Sequence, residues 1–266
     1  MATSVSAAFV AQYSNEVKQI FQQTDTRLMD TVRVHRNVVG STYNFPKLAA
    51  VTANTKTRDA EITALDPTAT MVTATLTDYY AGIYLDKLDE IKSNADLRGE
   101  YARAAANAIN RKVDDVIIAE LANATNTTTT TAGGLTLTKI LECLQYLNSS
   151  DVDPSDRVLV IGAKQMSEAL GISQLTSSDW NSLAAISQAG VGSAYGFKWV
   201  MSNRIPFSTT YTCFAYNKQA VGLAVGQDIT TEMNYIPQRV ATLANSYVSL
   251  GAKVIDNLGI TKMTCA

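Results

Sequence analysis

The sequence predicts an α+β fold organised around one long helix, and three features of the chain indicate it. An apolar stripe with helical spacing runs from residue 94 to residue 122. Helix and strand patterns alternate over residues 134–228, which is typical of a mixed layer of helices and strands. Residues 36–77, by contrast, are short of large apolar side chains and cannot bury much core by themselves. The 266 residues are enough for one large domain or two small ones with a sizeable core.

The long helix is the clearest element in the sequence. Alanine, the best helix former, is abundant in it, and Ser93 or Asn94 can cap its start. At 1.5 Å per residue, residues 94–122 give a helix of roughly 43 Å, well beyond the average length. Its predicted apolar face includes Leu97, Tyr101, Ala105, Ile109, Val113, Ile117 and Leu121. We expect it to form the backbone of the fold.

The segment before this region has a narrower helical stripe. Over residues 5–30, apolar side chains recur at three- and four-residue steps, with one longer gap: Phe9, Tyr13, Val17, Ile20, Phe21 and Leu28. The rest of the segment is polar. A stripe of this kind indicates a docking arm that needs a partner surface to stay folded.

Residues 42–45 and 71–76 alternate in the way that predicts two strands. The connection over 49–68 carries four charged candidates for contacts with other molecules: Lys56, Arg58, Asp59 and Glu61. A long two-stranded loop is marginal alone. Two interpretations stay open, a floppy surface loop and an arm that becomes ordered on a neighbouring subunit.

The remaining elements follow in order along the chain. Residues 77–91 predict a strand or a strand and turn, and the threonine-rich stretch 123–134, ending in two glycines, predicts a linker. Helices are predicted over 135–146, 163–170 and 176–185. Strands are predicted over 157–161, 197–201, 211–216, 229–235 and 239–254.

The composition narrows the function classes. Charged residues are 17% of the chain, against a usual share of about 25%. The low share fits either an ordinary low-charge surface or a surface covered by other copies of the chain. The net charge of −2 provides no global basic field, so any contact with DNA is expected to be weak and non-specific. No stretch approaches the ~20 apolar residues of a membrane span, and the start of the chain lacks the pattern of a secretory signal.

The chemistry of a catalytic or metal site is missing from the sequence. His35 is the one histidine, and the three cysteines are far apart without metal-ligand spacing. No nucleophile elbow occurs, and the glycines of 190–196 precede a strand pattern where a dinucleotide site needs a helix. Asp114 and Asp115 point about 100° apart on a helix, which favours solvated faces or salt bridges to Arg111 and Lys112. We therefore predict no catalytic residue, no metal site, no cofactor and no enzymatic activity.

Several stretches, taken in their order, resemble the major capsid proteins of tailed bacteriophages, which have the Hong Kong 97-type fold. Residues 78–98 followed by 106–121 are similar to the family's strand and long helix. The stretch RVLVIGAKQMSEAL, residues 157–170, resembles its strand-and-helix unit. The stretch GSAYGFKWVMSNRIP, residues 192–206, and the pattern YVSLGAKV, residues 247–254, are similar to later parts of the family. The resemblance covers nearly the whole chain.

The resemblance implies a Hong Kong 97-like major capsid fold with four parts. Residues 1–37 would be the N-terminal arm, and 38–77 the E-loop lying over a neighbouring subunit. Residues 78–133 and 229–266 would be the P-domain, with its spine helix over 94–122, and 134–228 the A-domain. It also implies an apolar helix over 219–225 before the closing strands. Lys56 is the E-loop candidate for the covalent crosslink of some relatives, but no partner for it is marked and no crosslink is predicted.

The same resemblance implies a function. Hexamers and pentamers of the chain would form the icosahedral head that encloses the genome of a tailed double-stranded DNA bacteriophage, assembled in the host bacterial cytoplasm. Expected partners are further copies of the chain, a portal protein, a separate scaffolding protein and a decoration protein, without a membrane. The alternative is an encapsulin-like shell protein of a cellular nanocompartment. A hydrolase using paired carboxylates, or a fibre or tail protein, are the alternatives from other classes.

Overall fold

Two β-sheets, one two-stranded hairpin and four helices, one of them long, make up most of the described part of the chain. The computed structural model describes residues 23–87, 97–130, 133–176, 192–205 and 210–266. The helices are α1 (Leu97–Leu121), α2 (Leu137–Ser149), α3 (Ala163–Leu170) and α4 (Ser173–Thr176). The strands are β1 (Arg33–His35), β2 (Thr42–Leu48), β3 (Ala69–Thr75), β4 (Thr77–Asp86), β5 (Arg157–Ile161), β6 (Ser193–Ala194), β7 (Phe197–Met201), β8 (Tyr211–Asn217), β9 (Val221–Ile236), β10 (Ala241–Val254) and β11 (Ile260–Cys265). Short 3₁₀ turns occur at Met29–Thr31, Lys218–Ala220, Pro237–Arg239 and Asn257–Gly259.

The long helix predicted over 94–122 is observed as α1, and residues 94–96 lie outside the described residues. One face of α1 is buried at steps of four residues: Ala105, Ile109, Val113, Ile117 and Leu121. This face covers the four-stranded sheet. At its end, the Glu120 carboxylate accepts a hydrogen bond from the Val254 amide at 3.1 Å and pairs with Lys253 at 3.0 Å. The helix is therefore tied to the end of β10 as well as packed on the sheet.

The four-stranded sheet has the order β1-β9-β10-β4. β1 runs parallel to β9, and the other neighbours are antiparallel. Along β10, alternate residues are buried against the helix: Ala244, Ser246, Val248 and Leu250. The register between β9 and β10 shifts between Tyr247 and Leu250, which is the signature of a β-bulge.

The five-stranded sheet has the order β11-β8-β5-β7-β6. β5 and β7 are parallel, and the other neighbours are antiparallel. Every residue of β5 is buried, as expected for a central strand with both faces covered. A single hydrophobic cluster joins this sheet to α1, α2 and the four-stranded sheet.

Most predicted elements are confirmed with shifted ends. The strands of 157–161 and 197–201 and the helix of 163–170 have the predicted bounds. The helix predicted over 135–146 begins and ends later, at Leu137 and Ser149. Of the short helix predicted over 176–185, only residue 176 falls in the described part, as the last residue of α4.

Two predicted helices are corrected. The apolar helix expected over 219–225 is wrong, because a 3₁₀ turn ends at Ala220 and Val221 begins the long strand β9. That stretch pairs with β1 on one side and β10 on the other, so sheet pairing overrides a short apolar run. The arm helix predicted over 5–30 does not extend to its predicted end, since residues 23–28 are non-helical and Met29–Thr31 form a 3₁₀ turn. Residues 1–22 lie outside the described residues.

The last strand, β11, contacts two distant parts of the chain. β11 pairs with β8 in the five-stranded sheet, and Thr128, from the stretch after α1, donates its amide to Lys262 at 2.9 Å. β9 runs without a break through the boundary predicted between 228 and 229. The predicted division into domains stays a prediction.

Candidate functional site

The hairpin formed by β2 and β3 has a buried end, defined here as the root (residues 42–47 and 72–76), and an exposed end, defined as the tip (residues 48–71). Phe45 in the root is fully buried, in a cluster with Ala74, Ala224 and Ile255. Its ring lies against Gly222 of β9, where a Cβ atom would come within 2.5 Å of Phe45 Cζ. The glycine thus leaves the space that the ring occupies.

Two more glycines receive the root. A Cβ atom at Gly251 of β10 would overlap the carbonyl oxygen of Thr75. A Cβ atom at Gly226 of β9 would lie 2.7 Å from Leu76 Cδ2. Because the sheet has no side chains at these positions, the backbone of the hairpin can approach it closely.

Aromatic and charged contacts complete the root. The His35 ring stacks on Tyr43 with centroids 4.2 Å apart, and Tyr43 meets Phe45 edge-on at 4.8 Å. Lys47 Nζ lies 2.9 Å from Asp256 Oδ1. The one histidine of the chain is therefore a packing residue at the side of the hairpin.

The tip has no such covering. Every residue from 48 to 71 is exposed. Five of them are large apolar residues, with exposures that reach 80%: Leu48, Val51, Ile62, Leu65 and Met71. A bond from the Ala49 amide to Thr68 closes the strands at 3.0 Å, and one backbone hydrogen bond, from Ala60 to Thr57, lies beyond it among the described residues. The tip is an extended surface with apolar side chains in solvent, which is typical of a contact surface.

The four charged residues singled out from the sequence all lie in the tip. Lys56, Arg58, Asp59 and Glu61 are exposed, and Asp59 has a φ of 64°, in the left-handed region that aspartate tolerates. None of the four forms an ion pair with another residue in the described part of the chain. The fold brings them together in one loop, and their role in contacts between subunits stays a prediction.

Asp114 has a role that the sequence did not indicate. Its side chain is fully buried, and its carboxylate accepts hydrogen bonds from the amides of Arg27 and Leu28 and from the Gln23 side chain. Burial raises the pKa of Asp114 above its usual value, although these hydrogen bonds act in the opposite direction. The carboxylate fixes the loop 23–28 against α1.

Asp115 points elsewhere, as predicted from the 100° step of a helix. Its two oxygens accept hydrogen bonds from Arg204 at 2.7 and 2.6 Å, a bidentate pair. The salt bridges predicted to Arg111 and Lys112 are wrong, and the alternative of a solvated face is wrong for Asp114, whose side chain is buried. Arg111 instead donates to the Gln23 carbonyl, and Lys112 lies over the ring of Tyr79. Arg204, in the turn after β7, is the partner of Asp115, and the spacing of residues along the helix does not reveal it.

Two buried cationic side chains, Lys139 of α2 and Arg157 of β5, bind oxygen atoms of neighbouring segments of the chain. Lys139 is fully buried and donates to the carbonyls of Gly133, Gly134 and Thr264 at 2.9, 3.0 and 2.7 Å. Arg157 is nearly as buried and donates to Asp153, Asn148 and Val152. Each has oxygen partners within the chain, so each is a structural residue.

The three cysteines are buried and form no disulfide, and they lie closer together than their separation in the sequence indicated. Cys213 and Cys265 stand on the paired strands β8 and β11, and the hydrogen bond between their thiols raises the pKa of Cys213. Burial raises the pKa of Cys143 to about 12. The hydrogen bond between Cys213 and Cys265 lowers the pKa of Cys265. Cys143 and Cys213, whose pKa values are raised, are therefore poor nucleophiles.

No set of three or more His, Cys, Asp or Glu side chains in the described ranges is arranged to hold a metal ion. Within the same ranges, every helix is too short or too polar to span a bilayer. Among the described residues, the tip of the hairpin holds five of the thirteen exposed large apolar side chains.

The hairpin is held at its root by the chain's own four-stranded sheet, and its tip presents apolar side chains to solvent. A family model described as phage capsid protein matches residues 5–266. The chain belongs to the phage capsid protein family. The comparison with curated protein sequences gives no match.

Solved capsid structures share the fold at low sequence identity. The capsid structure of the cyanophage P-SCSP1u has a TM-score of 0.81 and 16% identity, covering 100% of this chain and 95% of that one. A chain of Mycobacterium phage Che8 has a TM-score of 0.78 and 19% identity, covering 96% and 97%. A capsid chain of a native GTA particle has a TM-score of 0.75 and 14% identity, covering 100% of both chains. At these identities the likeness establishes a mixed helix and strand fold of the phage capsid type.

Proposed function

We propose that this protein is the major capsid protein of a tailed double-stranded DNA bacteriophage, and that its copies assemble as hexamers and pentamers into the icosahedral head around the genome. Membership of the phage capsid protein family supports the capsid role. The observation that carries the assembly proposal is the tip, where Ile62 is 80% and Met71 72% exposed. Apolar side chains in solvent gain free energy when a neighbouring subunit covers them, about 25 cal/mol per Å².

We infer that the hairpin is the main part of an E-loop over residues 38–77 that lies on a neighbouring subunit. The buried root supports this, because an arm that reaches a neighbour must be held firmly by its own subunit. Residues 1–37 are the N-terminal arm in the same proposal, 78–133 and 229–266 the P-domain with a spine helix over 94–122, and 134–228 the A-domain. The length of α1 and its central packing support its assignment as the spine helix.

Each contact in such a shell can be weak, since a closed particle makes many contacts act together. The proposed location is the virion, after assembly in the host cytoplasm. A portal protein, a separate scaffolding protein and a decoration protein are proposed partners. Packaged DNA is proposed to touch the shell only non-specifically, in keeping with the net charge of −2.

The direct test is electron microscopy of the expressed, purified chain, alone and with co-expressed scaffolding protein. Closed shells, or hexamers and pentamers, are the expected result. A chain that stays a monomer under all these conditions contradicts the proposal.

Charge reversal in the tip tests the contact residues. We expect Arg58→Glu to lower the yield of particles, because Lys56, Arg58, Asp59 and Glu61 are proposed to form salt bridges between subunits. The yield is measured by sedimentation and counting of particles on micrographs. Lys198→Glu, at an exposed position of β7, is the control for a charge reversal that breaks no ion pair among the described residues. An unchanged yield for the Arg58 variant removes these salt bridges from the proposal.

A further inference from the structure

The loop 23–28 is bound to Asp114 and leads directly into a residue, Met29, that lines a groove. Gln23 donates its side-chain amide to the Asp114 carboxylate, and the amide of Leu28 binds the same group at 3.1 Å. The two ends of the loop 23–28 therefore lie next to each other. Asn110 holds the start of the loop by donating to the Thr24 carbonyl. Gln23 therefore lies close to the point where residue 29 continues.

Met29 lies one residue beyond this loop and lines an apolar groove between α1 and the four-stranded sheet. The groove has a volume of about 320 Å³, and its apolar lining is Met29, Val113, Val225, Ile229, Val248 and Leu250. At its rim, Arg36 and Asp228 form an ion pair of 2.7 Å, so the charges there are balanced.

A groove of this kind is suited to an apolar side chain. Protein interiors are packed to crystal-like density, and an apolar gap offers a water molecule few hydrogen-bond partners. An aromatic or branched aliphatic side chain provides the area that would fill it. The balanced rim gives no preference for a charged ligand.

The sequence before Gln23 has such side chains within a few residues of the loop 23–28. The 22 residues before Gln23 contain one acid and one base, Glu16 and Lys18, and end in Ile20-Phe21-Gln22. At roughly 3.3–3.6 Å per extended residue, Ile20 and Phe21 reach about 7–11 Å from Gln23. Gln23 and residue 28 both bind Asp114, and Met29 lines the groove, so Ile20 and Phe21 are linked to the chain at a point near it.

We propose that residues 1–22 dock on their own chain by placing Ile20 and Phe21 in the groove between α1 and the four-stranded sheet. The loop at Asp114 turns the chain back toward this groove, and Met29 already occupies one side of it. The docking is a property of the single chain and does not depend on the assembly proposed above.

The first test is hydrogen exchange of the full-length chain. In the unchanged protein, residues 17–22 and the groove residues of β9 are expected to be protected. Replacing both Ile20 and Phe21 by Ser is expected to raise exchange in both regions about tenfold or more. Replacing Gln19 and Gln22 by Ser is the matched control, expected to change neither. Equal exchange in the two variants overturns the proposal.

A groove-filling variant separates docking from folding. Ile229→Trp places a large ring in the groove while the arm sequence stays unchanged. Exchange of residues 17–22 is expected to rise about tenfold or more while the protected amides of β5 keep their slow exchange. Continued protection of residues 17–22 in this variant counts against the groove as the docking site.

Disulfide trapping identifies the occupant. Phe21→Cys combined with Ile229→Cys, oxidised with copper phenanthroline, is expected to give a crosslink within one chain, seen as a monomer of altered mobility on a non-reducing gel. Phe9→Cys combined with Ile229→Cys is the control and is expected to crosslink less. A crosslinked dimer, which indicates the arm of a second copy, or the absence of any crosslink, overturns docking within the chain.

Discussion

The root and the tip of the hairpin differ in what surrounds them, although the same two strands lead from one to the other. The root ends in a buried phenylalanine seated on Gly222, and its backbone touches β10 at Gly251. The tip places five large apolar side chains in solvent with almost no hydrogen bonds of its own. The root holds the aromatic residues of the hairpin, Tyr43 and Phe45, and the tip holds most of its charges. The two ends also differ in the surface that each one meets.

This difference separates stability from assembly. The partners of the root are inside the chain, and its contacts contribute to the free energy of unfolding of a single subunit. The partners of the tip are absent from the chain, and apolar groups that stay exposed contribute little to that free energy. Substitutions in the root should therefore weaken the fold, and substitutions in the tip should leave it unchanged.

The largest expected effect is that of Phe45→Ala. Removing the ring opens a cavity above Gly222, and a glycine has no side chain to fill it. We expect a loss of about 3–5 kcal/mol in the free energy of unfolding. Chemical denaturation of the unassembled chain measures it. The control is Tyr80→Ala, at a side chain that is 80% exposed, with an expected change within about 0.5 kcal/mol. A similar loss in both variants contradicts the description of the root.

Gly251→Ala is expected to cause the next largest loss in the free energy of unfolding. The added methyl group meets the backbone carbonyl of Thr75, which cannot rotate away as a side chain can. Overpacking of this kind costs about 1–3 kcal/mol. Gly192→Ala is the matched control, because a Cβ atom there has nothing within 4 Å. Thermal unfolding that is the same for the two variants would show that the hairpin does not rest on β10.

The fold was predictable where local signals agree with the final packing. The helix α1 is rich in alanine and its apolar residues recur at helical spacing, so its pattern and its burial coincide. The stretch 219–225 misled because a short apolar run cannot be assigned to helix or strand by periodicity. The reason for a glycine at position 222 is visible only in the folded chain, where the ring of Phe45, from a strand far away in sequence, packs against it.

The candidate site was predictable in its location and less so in its partners. A loop poor in large apolar groups, between two alternating stretches, pointed to an exposed hairpin, and the tip is exposed. The partners of Asp114 and Asp115 were not predictable, because the sequence shows only helical neighbours such as Arg111. Burial by the loop 23–28 and the position of Arg204 after β7 depend on tertiary packing. The environments of the adjacent residues Asp114 and Asp115 are thus determined by the segments that pack on each face of α1.

A smaller effect is expected from Lys47→Ala, at the edge between root and tip. Its ion pair with Asp256 is 2.9 Å long, but both side chains are 35% exposed, so solvent screens the attraction. We expect a loss of about 0.2–1 kcal/mol at low salt, and less at high salt. The comparison is Arg36→Ala, whose pair with Asp228 is more exposed and should matter no more. A loss above that of Gly251→Ala would mean that charge, and not packing, anchors the root.

The smallest change in stability is expected from Ile62→Ser in the tip, and this variant tests the comparison most sharply. Ile62 is 80% exposed and leaves no cavity when shortened, so the free energy of unfolding of the single chain should stay within about 0.5 kcal/mol. Particle yield on micrographs should nevertheless fall, because the proposed neighbour loses an apolar contact. Thr63→Ser, the adjacent position in the tip, is the matched control and should change neither quantity. If Ile62→Ser assembles normally, the apolar tip is not the contact surface; if it unfolds easily, the tip is packed within its own chain and the contrast with the root disappears.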